Sequence, residues 1–407
     1  MQTNMEWGPI WRAMLRNKTG AILIALQIAV TLAIMVNAIS IIQERAEAMA
    51  RPSGVDEANI FYLSSIGFSE DFNEQVAIEE DLAAIRQTPG VINAIQSNSV
   101  PLSGGGWSMG LAREPGQGQD SVGVAIYFID EHGVDTFGLK MRAGENFAKA
   151  DVGWRERTSQ QWPTKGLITW AMAEALLPDD PDSALGQTFY IGDDEPVTVT
   201  GIVEQMQAPW NGWSGVERVL LVPQHTLFGS TRYIIRTEPG QRDQLMAQIE
   251  KMLAESNRNR IVRGMQTMTE TRERSYQADN GMVRMLIFVV ALLTAITALG
   301  IVGLASFSVN RRTRQIGTRR ALGASRAAIL RYFLTENFLI SLVGVVAGGA
   351  LAVGLNIWMV EEFSLAPMAW YLIPTAMLIL LLVGQAAVLG PARRAASVPP
   401  AVATRTV

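Results

Sequence analysis

Cysteine is absent from the 407-residue chain. That excludes disulfides, thiolate metal sites and cysteine nucleophiles, and names no compartment. Histidine is almost absent: His132 and His225 lie far apart with no nucleophile motif beside either, and read as packing or surface residues. None of the scarce lysines follows a glycine. The G-x-x-x-x-G-K-[ST] loop, whose backbone amides and Lys hold nucleotide phosphates, is therefore missing. Only 18% of residues are charged and 7% aromatic, against 48% hydrophobic, so the apolar excess is aliphatic.

Charge is missing altogether from four runs: residues 19–42, 285–309, 338–360 and 370–389. At 1.5 Å of helix rise per residue, about 20 residues cross a hydrocarbon core about 30 Å thick. One charge at its centre costs about 2.5–3.5 kcal/mol on insertion scales, so the runs read as transmembrane helices. The first is about twice the 7–15 residues of a signal-peptide core and is expected to stay as an anchor. Without ionisable residues the spans carry no proton or sodium relay. If such a chain moves a solute against a gradient, it needs a separate ATPase as its motor.

What charge there is falls unevenly. The first 18 residues, the loop 310–333 and the tail after Leu389 together hold 13 bases against one acid, whereas residues 43–280 hold 20 bases against 34 acids. Lys and Arg near membrane ends stay cytoplasmic, so both termini and the loop are expected inside. The long acidic segment and the short loop 361–369 are expected outside.

The stretch "SVNRRTRQIGTRRALGAS" (308–325) concentrates the arginines. Its apolar residues recur at helical intervals. Gly323 reads as a helix end, and Ser325 as the cap of a helix running into the third span. Topology alone needs fewer charges, so a cytoplasmic coupling helix is expected, and an anchoring interfacial helix is the alternative. Nucleic acid is not expected on a short loop tethered at both ends.

This stretch resembles the signature of the MacB/FtsX-type ABC transporter permeases (type VII, mechanotransmission systems), a run of Arg, then E-I-G, then R-x-A-L-G-A. "IVRGMQTMTETRERSYQ", "GPARRAASVPPAVATR" and "GLITWAMAEALLPDDPDSALGQTFYIGDDEPVTVTGIVEQ" are similar to other parts of that family, in the same order. One departure is Gln315, where the family has an acid. The resemblance assigns ATPase coupling to Arg311, Arg312, Arg314, Gln315, Ile316, Gly317, Arg319, Arg320, Leu322 and Gly323. It implies a cytoplasmic ABC ATPase dimer that binds ATP and Mg, with no cofactor on this chain, and a second permease copy or paralogue. It also implies a periplasmic adaptor and outer-membrane channel in some members, and a bacterial inner-membrane location. The expected function is ATP-driven export of a peptide, toxin or drug from the periplasm or outer leaflet. The alternatives are lipoprotein extraction, or a signalling scaffold that controls a cell-wall hydrolase and transports nothing.

The expected fold is four transmembrane helices plus a large α/β extracytoplasmic domain on a helical stalk, with MacB-like porter and inserted subdomains. A cytoplasmic interfacial helix is expected at 1–18, where Trp7, Ile10, Trp11, Met14 and Leu15 share one face. The first span and stalk follow at 19–51, and the outer domain at 52–265 with its insertion at 106–217. Next come stalk and second span at 266–309, the coupling loop at 310–333, the third span at 334–360, the outer loop at 361–369, the fourth span at 370–389 and the tail at 390–407.

Gly344, Gly348 and Ala352 form a small-residue face suited to close helix packing or to a dimer. Gln27, Thr31, Asn37 and Ser40 read as interhelical hydrogen-bonding groups or as the lining of a path. Trp210 and Trp213 flank an Asn-Gly turn, as packing residues or as a partner contact. The acids Asp179, Asp180 and Asp182, and Asp193, Asp194 and Glu195, read as solvated turns, with calcium as the alternative.

Overall fold

The computed structural model describes residues 18–363 and 367–399. Residues 1–17 of the helix expected over 1–18, residues 364–366 of the short outer loop and the tail from 400, with Arg405, lie outside the described residues. The chain forms two compact units, one of residues 1–49 with 279–407, the other of residues 50–278.

In chain order the helices are α1 (Lys18–Ala50), α2 (Glu74–Arg86), α3 (Gly133–Phe137), α4 (Trp170–Leu176), α5 (Arg242–Ser256), α6 (Met268–Ser275), α7 (Gln277–Arg311), α8 (Thr313–Ala321), α9 (Arg326–Phe363) and α10 (Leu372–Ala396). The strands are β1 (Ile60–Gly67), β2 (Val91–Gln96), β3 (Trp107–Ala112), β4 (Ser121–Ile129), β5 (Met141–Gly144), β6 (Gly153–Glu156), β7 (Lys165–Thr169), β8 (Thr188–Ile191), β9 (Glu195–Val203), β10 (Val219–Leu227), β11 (Thr231–Thr237) and β12 (Arg260–Thr267).

Within the first unit, α1, α7, α9 and α10 are long and apolar enough to cross a membrane. α1 is the most enclosed: Ile28, Leu32 and Val36 are fully covered and join Ile301 of α7, Val345 of α9 and Leu380 of α10 in one core. α7 instead leaves Phe288, Leu292, Ile296 and Leu299 exposed, a face stable in lipid and costly in water. Each helix outruns its charge-free stretch because polar turns at its ends continue the same hydrogen-bond ladder.

The second unit is built on two sheets. The smaller has the order β12-β1-β11-β2, all antiparallel, with α2 and α5 packed on it. α2 shows why: Asn73 caps it by accepting from the Val76 amide at 3.1 Å, and Ala77, Ile78, Leu82 and Ile85 form its buried stripe. Strand–helix–strand appears twice, β1-α2-β2 and β11-α5-β12, giving a split βαβ fold. Everything from β3 to β10 is inserted between its halves.

In the insertion, β4-β3-β8-β9-β7-β10 pair in sequence and β10 pairs again with β4, so six strands close into a ring. Leu111, Phe128, Ile168, Phe189, Val199 and Leu220 belong to its core. The insertion therefore runs through Leu227, past the boundary of 217 drawn from the sequence. Val219–Leu227, expected with the first sheet, lies in the second because its alternate residues complete the ring core. β12 (Arg260–Thr267), which crosses the boundary of 265 drawn from the sequence, is an edge strand on β1. It ends in a capping box that starts α6, where Thr267 accepts from the Glu270 amide at 3.1 Å and Glu270 accepts from the Thr267 amide at 2.9 Å. These bonds hold the Glu270 carboxyl below its usual range.

Candidate coupling surface

α7 ends at Arg311 and α8 begins at Thr313, with Arg312 at the joint in a non-helical conformation. Arg312 reaches back into the helical unit: its Nη1 donates to both oxygens of the buried Glu336 on α9, at 3.0 and 2.9 Å. Arg312, assigned to coupling by the resemblance, is held against the helical unit by this pair. It is a tie between α7 and α9, and Glu336 lies two residues before the charge-free run. Ile316 and Gly317 also point inward, and Ile316 packs with Ile329 and Phe333 of α9 and with Ala392, Ala395 and Ala396 of α10.

The opposite face of α8 is open. Arg314, Gln315, Thr318 and Arg319 are exposed, and Leu322 beyond the helix end is 84% exposed. The Arg319 guanidinium lies 5.0 Å from the Tyr332 ring, which steadies it without hiding it. Arg320 is half-buried and donates to the Ala324 carbonyl at 3.1 Å, bracing the turn. Arg311 is exposed beside the Phe307 ring.

The turn is a Schellman motif: the Ala324 amide donates to Arg319 O at 3.0 Å and the Gly323 amide to Arg320 O at 3.2 Å. It needs φ of +95° at Gly323, a value that suits glycine. Ser325 then caps α9, its Oγ accepting from the Ala328 amide at 3.1 Å. Two exposed arginines, Arg314 and Arg319, and Gln315 thus stand on a short helix locked from behind, with a bare leucine just past its end.

Inside the helical unit, Gly344 and Gly348 seat α9 on α1 of the same chain. A Cβ at Gly348 would lie 2.8 Å from the Ala29 backbone, and one at Gly344 would lie 2.9 Å from Ala25 O. Ala352, one turn on, is fully buried and its carbonyl accepts from Asn37 Nδ2 at 3.3 Å. Gln27 Nε2 donates to Ile296 O at 3.1 Å, and the hydroxyls of Thr31 and Thr297 meet at 2.9 Å. Gln27, Thr31 and Asn37 therefore bond across to α7 and α9.

In the outer unit, Trp210 and Trp213 meet edge to face at 6.1 Å. Trp213 packs over Gly123 and Gly215, while Trp210 lines a cleft. Asp179, Asp180, Asp182, Asp193 and Asp194 are exposed, and among the described residues no group of acids or histidines is arranged to hold a metal. The parallel pairing of β4 with β10 brings the two distant histidines to one cleft around Asp130. Asp130 is buried, takes an ion pair from Arg86 and accepts from the His132 amide at 2.9 Å. His225 lies 4.0 Å from Asp130 with its ring against Trp154, and burial holds its imidazole below the usual pKa.

Comparison with known proteins agrees with this architecture. The MacB-like periplasmic core domain matches residues 21–252, and the FtsX-like permease C-terminal region matches 287–400. The macrolide export ATP-binding/permease protein MacB of Chromobacterium violaceum is 26% identical over 334 residues, covering 76% of this chain and 49% of that protein. The pyoverdine export ATP-binding/permease protein PvdT of Pseudomonas savastanoi is 26% identical over 362 residues, covering 85% and 51%. The chain thus spans about half the length of the curated relatives it matches. A crystal structure of the periplasmic region of MacB from Actinobacillus actinomycetemcomitans aligns at 12% identity with a TM-score of 0.35, over 56% of this chain and 97% of that one. The core-domain match takes in more than half of the 407 residues and the second match contains the arginine loop, so the chain belongs to the MacB/FtsX-type family of ABC transporter permeases.

Proposed function

We propose that this permease is the moving half of an ABC exporter, without a nucleotide site of its own, worked by a separate cytoplasmic ATPase that docks on α8. ATP and Mg are bound by that partner. Two motors closing on ATP would shift α8, and the shift would pass to α7 and α9, which flank it in the chain. The extracytoplasmic domain then expels a substrate from the periplasmic side of a bacterial inner membrane. Both chain termini and α8 are cytoplasmic in this scheme. A second permease copy or paralogue stands against the first, and the exposed face of α7 supports such a pairing. The relatives' names include export of a macrolide and of pyoverdine, which favours export over lipoprotein extraction or hydrolase control.

The observation that carries this reading is the division of α8 into two faces. Ile316, Gly317 and the Arg312–Glu336 pair fix one face to the helical unit, while Arg314, Gln315, Arg319 and Leu322 are left bare. A bare apolar knob ringed by cations suits a groove with an acidic rim. Gln315 would offer an arginine of that partner an uncharged hydrogen bond, where the resemblance implies an acid. The double variant Arg314→Glu, Leu322→Asp should lower co-purification of the cognate ATPase at least tenfold while membrane insertion is unchanged. Undiminished recruitment would overturn docking on α8.

A further inference from the structure

A cleft of about 540 Å³ opens in the outer unit between β1, β12, α6 and the turn at 209–211. Its charged lining residues are Arg232 and Arg274, with no carboxylate, although residues 43–280 hold 34 acids against 20 bases. Arg232 comes from β11. Its Nη1 donates to Asn98 O at 3.1 Å, and its guanidinium lies 6.0 Å from the Tyr62 ring. Its Nε is closed to solvent and has no hydrogen-bond partner among the described residues. Burial pushes this guanidinium below its usual pKa, and no carboxylate offsets the effect. A desolvated cation beside an open cleft, with no counter-ion among the described residues, marks a place for an anion.

The walls are held in place. Leu102 has φ of +62°, the only non-glycine with positive φ among the described residues. It is kept there by backbone bonds from Leu102 to Ala208 O at 3.2 Å and from Gly104 to Pro209 O at 2.9 Å. Strain of this kind persists where the surroundings over-determine it, and it gathers at ligand sites. Asn211 Nδ2 donates to Ser275 O at 2.9 Å, tying the turn to α6, and Trp210 is braced by Trp213. The cleft therefore presents a fixed aromatic and aliphatic wall beside two guanidiniums.

We propose that this cleft binds an organic anion, with a carboxylate or phosphate held by Arg232 and Arg274 and an apolar or aromatic body lying against Trp210 and Leu102. A peptide's free C-terminus and an anionic phospholipid headgroup share that chemistry. The site goes beyond the export reading, and its test involves no motor, so either can fail alone.

The full chain in uncharged detergent is titrated calorimetrically with three probes: N-acetyl-leucyl-tryptophan, its C-terminal amide, and dihexanoyl phosphatidylglycerol. Binding of the free acid at least tenfold tighter than the amide supports the site and a peptide source. Binding of the phosphatidylglycerol alone supports the site and a lipid source. Arg232→Gln should weaken the bound anion at least tenfold with the unfolding transition unchanged. Where that variant fails to fold, Arg274→Gln on the exposed arginine decides, with at least a threefold loss expected. Acid and amide binding equally, neither anion binding at millimolar concentration, or both variants binding as the parent does would overturn the proposal.

Discussion

On the buried face of α2, between Ile78 and Leu82, stands a carboxylate. Asp81 is 5% exposed, accepts from the Tyr233 hydroxyl at 2.5 Å and pairs with the buried Arg260 of β12, whose Nη2 lies 3.0 Å away. Arg260 also donates to Leu253 O at the end of α5, so one ion pair ties α2, β11, α5 and β12 together. Burial first, and then the Asp81 charge, raises the Tyr233 phenol well above its usual pKa, so it remains a donor. Replacing one partner of a buried pair leaves the other charge uncompensated, at about 3–5 kcal/mol. Asp81→Asn should lose about that much stability, read as an earlier midpoint in denaturant unfolding followed by tryptophan fluorescence. A loss within about 0.5 kcal/mol, as for a surface substitution, would refute this. Helical spacing from Ile78 and Leu82 puts Asp81 on the buried stripe, apart from the exposed Glu79 and Glu80, but nothing local names its partner, which lies 179 residues on. The same holds for Arg312, which reads as one more arginine of the loop until the fold sets Glu336 against it. Charge type and exposure could be read locally, but pairing could not.

Elements were legible where their cause is local. The four charge-free runs, the Gly323 stop and the Ser325 cap each depend on a few neighbouring residues, and each stands where the sequence puts it. Short strands such as β6 and β7 depend instead on partners far along the chain, and β10 pairs β4 in one half and β6 in the other. No local pattern distinguishes such a strand from one of the first sheet. The G-x-x-x-G face of α9 falls between these cases: the sequence shows a close contact, and only the fold names α1 as its partner. At Gly348 an added methyl would meet backbone atoms of Ala29 at 2.8 Å, which cannot rotate away, whereas Gly354 on the same helix has open space. Gly348→Ala should therefore destabilise the helical unit by about 1–3 kcal/mol through overpacking. Gly354→Ala, the control, should change it by less than about 0.5 kcal/mol. Thermal unfolding in detergent compares the two, and equal midpoints would show that α9 does not seat on α1 through that glycine.

For the whole molecule the decisive quantity is the separation of charge along the chain. Four crossings place the segments carrying 13 bases and one acid on one side, and the segment carrying 20 bases and 34 acids on the other. Basic residues near the ends of spans hold their side in the cytoplasm, so α8 should face the cytosol and the double-sheet unit the periplasm. The absence of cysteine makes this directly testable, because any introduced thiol is the only one in the chain. Leu322→Cys and Asp193→Cys each place it at an exposed position, in the coupling turn and in the outer domain respectively. In intact cells a maleimide that cannot cross the inner membrane should label position 193 fully. It should reach position 322 only after the membrane is broken. Labelling of 322 in intact cells would put the arginines outside, where no ATPase could grip them, and with that the motor scheme built on α8 would fall, whatever the outer cleft binds.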